Sequence, residues 1–218
     1  YGTAFKVVAV SGVVLMPAAA YTMGRLANWP FPVPALMSVA GLLFVFDFNF
    51  TIYGGNIAST LAGEFAFSIS LALALVYLGL VVRSLDTGRG RGKAALALAL
   101  VALCHLIPLL FAVATTIIIV AVRGMHRLPE LLGARSAVLA IVSGLAVVGA
   151  MFFLTGEPLP RIAVIVVLLI GLLAAEIRRT WWALSIGLLG AMVSAFWTIP
   201  FLLRRSFLND MGWEKLHT

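Results

Sequence analysis

Long apolar runs are the feature that most restricts how this chain can fold. Residues 65–82 and 181–203 contain no charged side chain, and each run is about 20 residues long, enough to cross roughly 30 Å of hydrocarbon as a helix. A helix also satisfies its own backbone hydrogen bonds in lipid. The chain is 63% hydrophobic and 11% charged, with a mean hydropathy of +1.13, values untypical of soluble domains. The sequence therefore predicts an all-α polytopic membrane protein.

Breaks between the apolar runs predict about seven or eight transmembrane or partly spanning helices within one membrane domain, residues 1–218. The chain begins "YGTAFKVV", without an initiator Met or a signal-peptide pattern, so we interpret it as an internal segment of a longer protein. The predicted spans are 4–24, 34–48, 56–83, one or two helices within 94–123, 136–155, 162–177 and 181–203.

Residues 94–123 could form one kinked helix or a short hairpin that turns at His105 to Pro108. A single crossing would divide the basic residues of the connecting loops from residue 25 onward six to five between the two sides. A hairpin divides them ten to one, with Arg161 alone outside, as the positive-inside rule favours. We therefore predict a hairpin with two arms of about 14 residues, or roughly 21 Å each, in which Pro108 ends or kinks a helix.

Polar residues at four-residue spacing mark the predicted helix 56–83. Asn56, Thr60, Glu64 and Ser68 would share one face of a continuous helix, beside a stripe of small residues. Hydroxyl side chains often serve only as helix contacts in membranes. An acidic side chain within a membrane span usually marks function, so Glu64 is the strongest candidate and Asp47, at a predicted helix end, a weaker one.

The remaining chemistry-bearing residues restrict the class of function. His105 is either a helix contact or a functional group, and no second His or Cys stands near it at ligand spacing. We identify no cofactor, and no motif supports a divalent cation. The net charge of +7 comes from basic residues between apolar segments and not from a basic stripe, so we predict no nucleic-acid partner.

Three stretches carry a resemblance to a known family. The sequences "YGGNIASTLAGEFAFSISL", "HLIP" and "AFWTIPFLLRRSFLNDMGWEK" resemble the bacterial membrane proteins called 6-pyruvoyl-tetrahydropterin-synthase-related. That family is similar to the GT-C membrane glycosyltransferases, which take a sugar from a polyprenyl-phosphate carrier on the outer face of the membrane. The resemblance implies a GT-C-like fold in the bacterial cytoplasmic (inner) membrane, with a groove that faces outward.

The resemblance implies an enzyme that uses a polyprenyl-phosphate sugar donor and a glycan or glycolipid acceptor of the cell envelope, in contact with membrane lipids. GT-C enzymes typically keep a catalytic acid in the first outer loop. Nothing in this chain matches that position, so the catalytic base is expected outside this sequence, and neither Asp47 nor Glu64 takes its place. The candidates for substrate binding are Tyr53, Asn56, Thr60, Glu64, His105, Arg204, Arg205 and Asp210.

Two alternatives stay open at the level of sequence. A transporter or flippase would use Glu64 to carry a proton or pair with a cationic substrate. A noncatalytic scaffold would pack beside another membrane protein as its partner. An acidic residue in an outer loop upstream of Tyr1 would favour the transferase.

Overall fold

The computed structural model describes residues 2–49, 54–154 and 158–204, and every regular element in these ranges is an α-helix. The all-α class predicted from the sequence is therefore confirmed. The helices are α1 (Gly2–Leu26), α2 (Val33–Val45), α3 (Ile57–Leu61), α4 (Phe65–Thr87), α5 (Arg91–Cys104), α6 (Leu106–Leu132), α7 (Ala134–Leu154), α8 (Pro158–Ala175) and α9 (Ile177–Leu203).

Four helices, α1, α4, α6 and α9, are long and apolar enough to cross a membrane, and shorter apolar helices lie in α2, α7 and α8. This pattern supports a membrane protein, whereas the predicted number of spans stays a prediction. Helix α4 is the central one, since half of its most apolar window is buried, against 17–28% in the other three long helices. The outward apolar faces of those three helices suit contact with lipid tails.

Contacts along the helices show that neighbouring segments of the chain run up and down a bundle. Gly12 packs on Ser68 and Gly79 packs on Met23, so α1 and α4 run in the same direction. Ser70 on α4 contacts Val101 near the end of α5, so α5 returns antiparallel to α4. The bundle thus has two ends. We call residues 25–33, 83–93, 123–135 and 176–179 the basic end, and residues 46–49, 54–64 and 104–106 the Glu64 end.

Contacts among the described residues confirm the hairpin turn predicted within 94–123. Tyr77 on α4 hydrogen-bonds Thr116 on α6 (3.0 Å), and Asp86 near the end of α4 pairs with Arg123. Helix α6 therefore runs parallel to α4 and antiparallel to α5, with the turn at His105. Of the two predicted arm lengths, the first is confirmed and the second is wrong. The first arm, α5, has 14 residues, but α6 has 27.

Two other sequence predictions need correction. Pro108 does not end or kink a helix; it lies buried in the first turn of α6, where a missing N–H costs nothing. The continuous helix predicted over 56–83 is also wrong, because the chain breaks between Leu61 and Phe65. Gly63 has a φ of +116°, which an L side chain rarely adopts, so this glycine permits the break.

Candidate functional site

The break between α3 and α4 places polar groups at the Glu64 end of the bundle. The Asn56 side chain caps α3 by accepting from the Ser59 N–H (2.8 Å), and its Nδ2 donates to the carbonyl of Asp47 (2.7 Å). The chain then turns at Gly63, and α4 starts after Glu64. The amide of Asn56 therefore joins the start of α3 to the backbone at Asp47, just after α2.

Thr60 and Ser68 do meet, although no continuous helix joins them. Their hydroxyl oxygens lie 2.6 Å apart in a buried contact, and the Ser68 hydroxyl also lies 3.4 Å from the carbonyl of Glu64. Both residues are at most 8% exposed. This pair fastens α3 to the first turn of α4, so its direct role is to fix the helix break beneath the Glu64 side chain.

Among the described candidate residues, Glu64 is the one whose position and exposure differ most from the sequence prediction. It does not lie on one helical face with Asn56 and Thr60; it occupies the position just before α4, and its side chain is 43% exposed. Its carboxylate does not cap the helix. The carboxylate nevertheless lies at the positive end of the α4 dipole, where negative charge is favoured.

His105 forms the turn between α5 and α6 and faces Glu64. Its backbone is extended, and its Nδ1 accepts from the Ile107 N–H (3.2 Å), so the side chain caps α6. In a neutral ring the proton therefore lies on Nε2. The ring edge also packs on Phe67, with 5.1 Å between ring centroids, and the Ser70 hydroxyl fixes the end of α5. The imidazole is thus held in one orientation.

The Nε2 of His105 lies 3.8 Å from Oε2 of Glu64. This distance is too long for a direct hydrogen bond, and both side chains are partly exposed, at 27% for His105 and 43% for Glu64. A hydroxyl oxygen about 2.8 Å from both atoms could accept from Nε2–H and donate to the carboxylate. The pair can therefore bind a hydroxyl-bearing ligand from the Glu64 end.

The other predicted residues do not join this pair. Arg204 is exposed at the end of α9, and within the described part of the chain its side chain forms no ion pair or hydrogen bond. Asp47 accepts hydrogen bonds from Asn49 in an exposed turn and does not contact Glu64. Tyr53, Arg205 and Asp210 lie outside the described residues.

Sequence reasoning missed Glu176, the most buried carboxylate among the described residues. Glu176 lies between α8 and α9 at the basic end and is 1% exposed. Its Oε1 accepts from Arg127 on α6 (2.7 Å), and its Oε2 lies 3.3 Å from Arg179 on α9. The "EIRR" sequence gives the i,i+3 pairing with Arg179, but only the fold brings Arg127 to it. This cluster holds α6, α8 and α9 together. The strongly buried carboxylate among the described residues is therefore that of Glu176 and not that of Glu64.

Among the described residues, no group of three or more His, Cys, Asp or Glu side chains is placed to hold a metal ion. An apolar cavity of about 430 Å³ lies mainly between α6 and α9, with single residues of α4, α5 and α8 in its wall, and its lining is aliphatic apart from Tyr77, Thr116 and Thr180. No protein-family model, no curated protein and no solved structure matches the chain.

Proposed function

We propose that this chain is the membrane domain of a GT-C-like glycosyltransferase, which moves a sugar from a polyprenyl-phosphate donor to a glycan or glycolipid of the cell envelope. The observation that carries the proposal is the Glu64–His105 pair, in which a carboxylate and an imidazole meet 3.8 Å apart on two helix breaks. We assign the base that activates the acceptor to none of the described residues. Glu64 and His105 bind the donor.

The two side chains have complementary tasks in sugar transfer. The Glu64 carboxylate accepts hydrogen bonds from sugar hydroxyls, and the Nε2–H of His105 donates to an oxygen of the donor phosphate as negative charge develops on it. The parallel helices α4 and α6 both begin here. Their N-terminal dipoles add positive potential that favours the departing phosphate.

The apolar cavity offers room for the lipid part of the same donor. Thr116, at its wall, follows His105 by eleven residues, or about 16 Å along α6. An isoprenoid chain whose phosphate lies near His105 can reach this distance into the membrane. Aliphatic lining residues suit an isoprenoid chain, because a chain that moves from the lipid tails into this cavity exchanges one apolar environment for another.

The direction in the membrane follows from charge. Arg25, Arg83, Arg123 and Arg179 all lie at the basic end, which the positive-inside rule assigns to the cytoplasm. The Glu64 end then faces outward from a bacterial cytoplasmic membrane, on the side where polyprenyl-linked sugars are used by enzymes of the GT-C class. A proton-carrying role for Glu64 is less well supported, because the carboxylate is partly exposed at a helix end.

The proposal is tested in the full-length protein, expressed in source cells from which its gene has been deleted. Membranes from these cells supply the native acceptor and receive radiolabelled polyprenyl-phosphate mannose, glucose or galactose, and the release of polyprenyl phosphate is measured. We expect Glu64→Gln to lower kcat/KM for the accepted donor by roughly 10- to 100-fold, the effect of losing a charge-assisted hydrogen bond. Gln keeps the size of the side chain but loses its charge.

Glu130→Gln is the matched control, because Glu130 is 74% exposed at the basic end. It should turn over donor like the wild type at equal protein amount and equal thermal stability. If Glu64→Gln has wild-type kinetics, the assignment of Glu64 to the donor site is wrong. Gene-dependent release of polyprenyl phosphate from none of the three donors would refute a transferase for these sugars, and gene-dependent substrate flux without transfer would favour the transport alternative.

A further inference from the structure

A second cavity, at the basic end, is lined by positive charge. It has a volume of about 530 Å³ and lies between the ends of α1 and α4 and the start of α5. Three cationic side chains line it, Arg83, Arg89 and Lys93, and no acidic side chain of the described residues does. Leu26 and Leu80 form an apolar part of its wall. The cavity is distant from the Glu64–His105 pair, at the opposite end of the bundle.

The sequence "RSLDTGRGRGK" builds this cavity through its turn. The Thr87 hydroxyl donates to the carbonyl of Arg83 (2.7 Å) and accepts from the N–H of Arg89 (3.3 Å). Gly90 follows with a φ of +84° and starts α5. These contacts place Arg89 in the turn, with Arg83 about one helical turn before the end of α4 and Lys93 in the first turn of α5.

The three cations of this cavity have no ion-pair partner among the described carboxylates. Asp86, the nearest acid in sequence, pairs with Arg123, and Glu176 pairs with Arg127 and Arg179. The first turn of α5 adds to the positive potential because no side chain caps its N–H groups. Three uncompensated cations around one cavity attract an anion more strongly than the same charges spread over a surface.

We propose that this cavity binds the phosphate headgroup of an anionic phospholipid. Arg83 and Arg89 donate to the phosphate oxygens, and Lys93 adds a third charge. Leu26 and Leu80 favour a lipid over a free anion, because an apolar wall beside the cations suits the start of an acyl chain. The volume is within the range of small-molecule sites, and basic pockets between membrane helices suit such headgroups.

The test compares two double variants of the full-length protein in detergent. Arg83→Gln with Arg89→Gln removes two guanidinium groups from the cavity. Arg135→Gln with Arg178→Gln removes two exposed arginines from the same end of the bundle, neither of which lines the cavity or forms an ion pair with a described residue. Native mass spectrometry measures the binding of phosphatidylglycerol, with phosphatidylcholine as the neutral lipid of equal chain length.

We expect the wild type and the Arg135/Arg178 variant to prefer phosphatidylglycerol, and the Arg83/Arg89 variant to lose roughly 10- to 30-fold in its affinity for that lipid. Equal losses in both double variants would show diffuse attraction to the basic end and would refute a site. Unchanged affinity of the Arg83/Arg89 variant for phosphatidylglycerol would also refute the proposed site.

A second arm separates a lipid from a free anion. Glycerophosphoglycerol, which is phosphatidylglycerol without its acyl chains, is titrated as a competitor against phosphatidylglycerol. The proposal expects no displacement at equal concentrations, because the soluble anion lacks the contact with the apolar wall. Displacement at equal concentrations would assign the cavity to a soluble phosphate and overturn the lipid proposal.

Discussion

Replacing Gly12 with alanine should force α1 and α4 apart. A Cβ at Gly12 would lie 2.7 Å from Cβ of Ser68 and closer still to backbone atoms of Ser68 and Ile69. Ordinary contacts begin near 3.4 Å, so the two helices must separate by at least about 0.7 Å. Because the obstructing atoms include backbone, rotation of a side chain cannot relieve the clash.

The magnitude follows from two opposing terms. Overpacking costs about 1–3 kcal/mol, and backbone obstruction places this substitution at the upper end. Alanine gains up to about 1 kcal/mol over glycine through helix propensity, which leaves a net loss near 2 kcal/mol. For a chain of this size, that loss lowers Tm by about 4–8 °C.

Thermal unfolding in detergent, followed by tryptophan fluorescence, measures this change. Gly187→Ala in α9 is the control, because its Cβ would meet nothing within 4 Å and the same propensity gain applies. Its Tm should equal or slightly exceed that of the wild type. If Gly12→Ala unfolds at the same temperature as Gly187→Ala or above it, the close approach of α1 to α4 is wrong. Under the proposed function, Gly12→Ala should also lose transferase activity, because it moves the start of α4, where Ser68 lies in the helix and Glu64 just before it.

Two further predictions concern topology and the basic end. Gly92→Cys and Ser136→Cys, each in a Cys104→Ala background, should react with an impermeant maleimide from the same side of the membrane, because the hairpin returns the chain to the basic end; labelling from opposite sides would rule the hairpin out. Glu176→Gln should lower the unfolding temperature by several degrees, since it leaves two arginines without their buried partner. Glu130→Gln, at an exposed position, should leave the unfolding temperature unchanged, and equal stability of the two variants would show that the Glu176 cluster does not hold α6, α8 and α9 together.

The sequence alone determined the all-α class and the position of the hairpin turn. Apolar runs predict helices because a lipid environment demands internal backbone hydrogen bonds, and this demand acts on each segment separately. The turn at His105 was predicted from charge, since the positive-inside rule compares loops without requiring contacts between helices. The same local signals predicted α1, α7 and α9 to within a few residues.

Local signals failed where a single backbone conformation decided the outcome. The spacing of Asn56, Thr60, Glu64 and Ser68 fits a continuous helix, but Gly63 adopts a positive φ and divides it. A glycine within an apolar run is compatible with both conformations, and packing against neighbouring helices selects one. Glu64 therefore lies at a helix start and is partly exposed.

Only the tertiary structure brought together residues that are far apart in the chain. Glu64 meets His105 because α4 and α6 run parallel and begin at the same end of the bundle. Glu176 is buried because α6 brings Arg127 to the junction of α8 and α9. Sequence periodicity describes one helix at a time, whereas such pairs depend on how helices pack, and packing is set by close contacts such as Gly12 on Ser68.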